Sequence, residues 1–143
     1  MDIKKIIYIL PIIVLLVIFI VLYNKVNYTN EVNSVKVIIN ENEYLIDLEN
    51  SETVNSFIKL LPKEFNMNEL NGNEKYIYLD NSLPVDSYSP KKISAGDVML
   101  FGDNCLVIFY KSFDTNYSYT KIGHIDNLPD LGNGSIKVRF ELK

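Results

Sequence analysis

The stretch Ala95–Phe113, "AGDVMLFGDNCLVIFYKSF", decides the fold. Two strongly apolar runs, "VMLFG" and "CLVIFYK", flank Asp103 and Asn104. Both of these residues tolerate the left-handed backbone of a tight turn, so the stretch predicts a β-hairpin. In its second arm Cys105, Val107 and Phe109 share one face, and Leu106, Ile108 and Tyr110 share the other. Neither face is polar, so this strand is expected to be covered on both sides.

Working outward, the same signals recur. Upstream, "SVKVIIN" and "EYLIDL" are β-rich runs separated by "ENE", which predicts a hairpin. Ser51 can cap a helix whose apolar positions Val54, Phe57, Ile58 and Leu61 follow the i, i+3, i+4, i+7 spacing, and Pro62 ends it. "EFNMNEL" and "KYIYLD" alternate around the turn "NGNE" and predict two more strands. Asn81–Asp97, with two prolines and four serines, has no core pattern and predicts a long surface loop. Downstream, "SYTKIGHID" predicts a strand, "NLPDLGNG" a turn or short helical piece, and "SIKVRFELK" a final strand with Ile136, Val138, Phe140 and Leu142 facing the core. About eight strands in so short a chain are most simply closed into a barrel, which removes the sheet's edges. The expected fold class is therefore mainly β: a closed barrel of about eight strands with one or two helices.

The chain has 143 residues, a formal charge of −4 and 48% hydrophobic residues. Much of the apolar excess lies at one end, where residues 6–23 read "IIYILPIIVLLVIFIVLY" without a charge. At 1.5 Å per residue such a helix covers most of a hydrocarbon core of about 30 Å. No small-residue cleavage pattern follows it, and no cysteine stands where a lipoprotein would need one, so an uncleaved single-pass anchor is expected. Lys4, Lys5 and the amino terminus lie on one flank against Lys25 on the other, which places the remainder of the chain outside the cytoplasm. The expected organisation is an anchor over 1–24, a tether over 25–33 and a β-domain over 34–143, with the membrane as a partner through 6–23. A mildly acidic chain without a basic cluster or a phosphate-cradling glycine loop argues against nucleic acid as a partner. One cysteine allows no internal disulfide, so the domain must be held by its core.

The order of these elements, and several local matches, resemble a cyclophilin. "TVNSF" (Thr53–Phe57) resembles the Thr-Ala-x-x-Phe of the first cyclophilin helix, and "GDVML" (Gly96–Leu100) resembles its Gly-x-Leu-Ser-Met strand. "LVIF" and "KIGHI" resemble the Gln-Phe-Phe-Ile and Val-Phe-Gly-Lys-Val strands. "LLP" after the helix, then "AGDVMLFGDNCLVIFYKSF", then "YSYTKIG" is similar to the pattern of the small bacterial cyclophilin-like family, over about Val35–Lys143. The resemblance implies a cyclophilin-like barrel and a groove. It does not bring a catalytic set, because cyclophilins stabilise the twisted prolyl peptide with an arginine in a Phe-His-Arg strand. The corresponding region here, "EFNMNELNGNEKYIYLD", has none, and Arg139, the one arginine, falls on the outward face of the last strand. Aligning Gly123 with the family's strand glycine puts Tyr119 where the active-site histidine falls.

Chemistry-bearing residues are few. Cys105 reads as a buried small hydrophobe with a raised pKa, and His124 as a surface or partly buried strand residue. One His and one Cys do not make a zinc site, so no metal, cofactor or catalytic residue is assigned. The aromatic set is the functional candidate: Tyr110, Phe113, Tyr117 and Tyr119 straddle the "KSFDTN" loop, with Tyr88 on the long loop and Asn104 in the hairpin turn. The reading is a membrane-anchored module binding a small ligand or an extended peptide. The second reading is a peptidyl-prolyl isomerase acting on exported proteins, and a third is a structural docking module.

Overall fold

A computed structural model describes residues 3–27 and 32–143, with side chains described for 8–23 and 32–143. The chain divides into two compact units, Met1–Glu31 and Val32–Lys143. In the first, helix α1 runs Ile3–Asn27 with Pro11 inside it. Its side chains from Tyr8 to Tyr23 are all exposed. Among the described residues no helix is long and apolar enough to cross a membrane. The boundary expected between anchor and tether falls within α1, and residues 28–31 of the tether lie outside the described residues.

The second unit is a closed antiparallel barrel. Its strands are β1 (Ser34–Ile39), β2 (Asn42–Leu48), β3 (Lys63–Leu70), β4 (Glu74–Tyr78), β6 (Asp97–Phe101), β7 (Cys105–Phe109), β9 (Thr120–Ile125) and β10 (Ile136–Glu141), joined in the order β1-β10-β3-β4-β7-β6-β9-β2. Alternation fixes what faces inward: Val35, Val37 and Ile39 of β1, Leu106 and Ile108 of β7, and Val138 and Phe140 of β10 fill one interior cluster. Leu142, expected on that face, lies beyond the end of β10 and is exposed.

Helix α2 (Glu52–Ile58) begins where Ser51 Oγ accepts from the Val54 amide at 3.2 Å. It sets Val54 and Phe57 into the interior cluster, and the Phe57 ring meets Phe140 edge-on at 5.4 Å. The β1–β2 loop is the two residues Asn40 and Glu41, both at positive φ, whose twist suits a tight hairpin. The β6–β7 turn differs from expectation. Gly102, not Asp103 or Asn104, takes the left-handed conformation (φ 61°), since a glycine without a Cβ enters it at no steric cost.

The loop Asn81–Asp97 is not wholly irregular. It contributes β5 (Lys92–Ile93), which pairs with β8 (Phe113–Asp114) as a separate small sheet. Further back, Tyr88 exchanges both backbone hydrogen bonds with Tyr119, at 2.9 and 3.0 Å. Together these segments form a strap over part of the outer side of β6 and β7, and a second cluster forms beneath and beside it from Ile93, Met99, Cys105, Val107, Phe109 and Tyr119. That cluster is why β7 is apolar on both faces and buried at every position.

Lys75 of β4 points into the barrel and is fully buried. Its ammonium meets the Glu69 carboxylate directly across the β3–β4 pair, and donates to the Gly132 and Gly134 carbonyls at 2.6 and 2.7 Å. Tyr110 donates from its hydroxyl to the same carboxylate and lays its ring 5.0 Å from the ammonium. Every charge in this group has a counter-charge and hydrogen bonds, which is the condition for a buried ion pair to persist.

Candidate functional site

Strand parity builds the site. On β4, Lys75 and Ile77 point inward, so Glu74, Tyr76 and Tyr78 point out. On the neighbouring β7, Cys105 and Val107 point out beside them, and Phe101 closes β6. The strap stops short of covering this part of the sheet, and Phe113, Tyr117 and Tyr119 form its edge. What remains is a groove of about 840 Å³ with β4 and β7 as its floor. Its size falls in the range of small-molecule and peptide sites.

The aromatic walls brace one another. Tyr119 packs edge-on against Phe109 at 5.5 Å and tilts against Phe101 at 5.6 Å, while Phe101 meets Tyr117 edge-on at 5.9 Å. Phe109 in turn holds Phe113 at 5.5 Å. Tyr119 is nearly buried, Tyr117 largely exposed, and Tyr78 exposed at the rim, so ring faces and hydroxyls are both presented to the groove.

One end of the groove is polar. Glu74, opposite Phe109 in the sheet, has its carboxyl pushed up to about 7, first by burial and then by the charge of Glu69. Its neighbour Asn73 holds Oδ1 buried without a hydrogen-bond partner. Burial, with the Glu74 charge second, raises the Cys105 thiol to about 11. Such a thiol is neutral at physiological pH and is no nucleophile. Burial also raises Tyr119. In contrast Glu69, although burial pushes it upward, is held below the ordinary range by its hydrogen bonds to Lys75 and Tyr110 and by the Lys75 charge.

Of the residues singled out from sequence, the structure gathers Phe113, Tyr117 and Tyr119 at the groove. Tyr110 is elsewhere: it lies inside the barrel, bonded to Glu69, because it follows β7 on the inward parity of Leu106 and Ile108. Asn104 extends the β4–β7 ladder, its carbonyl accepting from Leu79 at 2.7 Å and its side-chain amide donating to the Leu79 carbonyl at 3.3 Å. Tyr88 supports Tyr119 through its backbone. The groove also contains Glu74, Tyr76, Tyr78, Phe101 and Cys105, which the aromatic reading did not include. The alternation of "NEKYIYLD" carried that signal, since it places Glu74, Tyr76 and Tyr78 on one face.

Two other polar groupings lie outside the groove. His124 Nδ1 stands 2.9 Å from Asp97 Oδ1, while the other Asp97 oxygen accepts from the Ser94 amide at 2.9 Å, so this carboxylate braces the base of the strap. Arg139, on β10, is half exposed and pairs with Glu141. The chain's one arginine therefore does not line the groove.

Comparison with solved structures finds a similar fold in the solution structure of the hypothetical protein AF2241 from Archaeoglobus fulgidus. The two share 17% sequence identity at a TM-score of 0.52, over 77% of this chain and 94% of the other. Among curated proteins none matches the chain. Residues 37–141 match the Cyclophilin-like family. That match takes in nearly the whole barrel, so the chain belongs to the Cyclophilin-like family.

Proposed function

We propose that the domain is a membrane-anchored binding module whose groove takes an extended peptide or a small ligand with a substantial apolar part. The observation that carries this is the groove itself: an open cleft of about 840 Å³ whose floor and walls are largely aromatic and aliphatic, braced by ring packing rather than collapsed. The absence of an arginine from the lining argues against the charge-stabilised isomerase mechanism that the family resemblance would otherwise suggest.

The test is a titration of the full chain, in a non-ionic detergent, with a short blocked Phe-Pro peptide, combined with measurement of its cis–trans exchange by NMR. Saturable shifts at Tyr117 and Tyr119 without faster exchange are expected. Acceleration that a Tyr119→Phe variant loses would replace this reading with the isomerase. Absence of shifts at millimolar peptide would remove the groove as a peptide site.

The anchoring half of the proposal rests on residues 6–23, which carry no charge and follow Lys4 and Lys5. α1, of which this run is the middle, would be about 37 Å long at 1.5 Å per residue. The lysine asymmetry supports an orientation with the barrel outside the cytoplasm. Retention of the chain in carbonate-washed membranes, with the barrel cut by protease added to intact protoplasts, is the expected result. Release by carbonate would overturn it.

A further inference from the structure

We propose that the groove selects ligands carrying an aliphatic ammonium group, which seats against the Glu74 carboxylate and the neighbouring tyrosine faces while the apolar part lies along Tyr76, Val107 and Tyr119. The inference rests on reading the groove as a binding site, and it names the chemistry of the occupant.

Glu74 is half-buried at the polar end of a largely apolar groove, and among the described residues neither a cation nor a hydrogen-bond donor offsets its charge. The lysine beside it in sequence is turned to the other face of β4 and committed to Glu69. Lys111, after β7, pairs with Asp130 at 3.3 Å. Next to Glu74 the Oδ1 of Asn73 is a second acceptor without a partner. This end of the groove thus presents two acceptors that are without a partner among the described residues, and an unpaired half-buried carboxylate is costly to keep. An ammonium group brings three donors and a positive charge, and tyrosine rings offer it their negative faces. A neutral ligand would leave the carboxyl unpaired.

The other titratable groups near Glu74, on either side of the barrel wall, do not supply the same switch. Glu69, from β3, is already matched by Lys75. Cys105, from β7, and the Tyr110 and Tyr119 hydroxyls stay neutral well above pH 8. Asp114, from β8, also lines the groove, and it is the competing carboxylate that the test must separate. The carboxyl of Glu74 ionises near pH 7, so a cation that needs the ionised form binds better as pH rises through that value.

The experiment measures dissociation constants by calorimetry on the full chain in a non-ionic detergent. One pair of probes is phenethylammonium and 2-phenylethanol. The other is the blocked peptide Ala-Phe-Lys-Pro-Ala and its counterpart with norleucine in place of lysine. The charged member of a pair should bind about tenfold more tightly at pH 8.5, a difference of about 1.4 kcal/mol. The preference should fall toward parity at pH 5, vanish in Glu74→Gln and persist in Asp114→Asn. Preference in the peptide pair alone identifies a lysine side chain as the source, and preference in both pairs identifies a free amine as sufficient. Equal binding of charged and neutral probes, or a preference that survives Glu74→Gln or is lost in Asp114→Asn, overturns the inference and leaves the groove reading standing. Failure of all four probes to bind overturns the groove reading itself.

Discussion

Replacing Glu74 by glutamine should stabilise the barrel at pH 8 and leave it unchanged at pH 4. In the native protein this carboxyl ionises near 7, against an ordinary value of 4.5 in the unfolded chain. Between those values the native state holds a proton that the unfolded state has lost. Stability therefore falls as pH rises through the window, and above about 7 the full penalty remains. A shift from 4.5 to about 7, at 1.36 kcal/mol per unit, would amount to roughly 3 kcal/mol for a group sealed from water. Glu74 stands in an open groove, and solvent screening reduces this to about 1–2 kcal/mol. Glutamine keeps the shape and removes the ionisation, so its melting temperature at pH 8 should exceed that of the native protein by about 4–8 °C. Thermal unfolding of both full-length proteins at pH 4, 6 and 8 provides the assay, and the gap should open as pH rises. A variant no more stable at pH 8 than at pH 4, relative to the native chain, would show that the carboxyl is solvated and would refute the reasoning. A group that costs stability and stands in a groove fits a binding role better than a packing role.

Three other perturbations follow from the same structure. Lys75→Met should cost about 3–5 kcal/mol in urea unfolding, because it leaves the Glu69 carboxylate and the Gly132 and Gly134 carbonyls without their buried cation; a loss under 1 kcal/mol would mean that water reaches the site. Gly96→Ala should lose at least about 2 kcal/mol in the same assay, since the new Cβ would run into the Ile125 carbonyl from a backbone at φ 100°, and near-native stability would contradict the close approach of the two strands. Iodoacetamide should leave Cys105 essentially unmodified at pH 8 in the folded protein, with its thiol ionising only near 11; rapid labelling that a groove ligand does not slow would contradict its burial in the groove floor.

What was legible in the sequence was whatever strand alternation and turn chemistry determine locally. The Ala95–Phe113 hairpin, the capped helix and the strand pair around Asn71–Asn73 each satisfy a local rule, and closing the sheet follows from the number of strands. What escaped depended on which side of the barrel a face occupies. Alternation separates Tyr110 from Phe109, but only the closed barrel shows that Phe109 lies outside, beneath the strap, and Tyr110 inside, against Lys75 and Glu69. The strap itself is held by backbone hydrogen bonds between Tyr88 and Tyr119 and by the Asp103 carbonyl, which accepts from the Leu83 amide, and no residue type encodes either. Glu74 was hidden for the same reason. In sequence it is one carboxylate next to a lysine, which usually means a solvated pair, yet β parity sends the two side chains to opposite faces. Lys75 then finds Glu69 across the sheet, and Glu74 is left alone among aromatic rings. The separation of two adjacent opposite charges by the wall of the barrel creates the unpaired carboxyl on which the ligand specificity proposed for the groove depends.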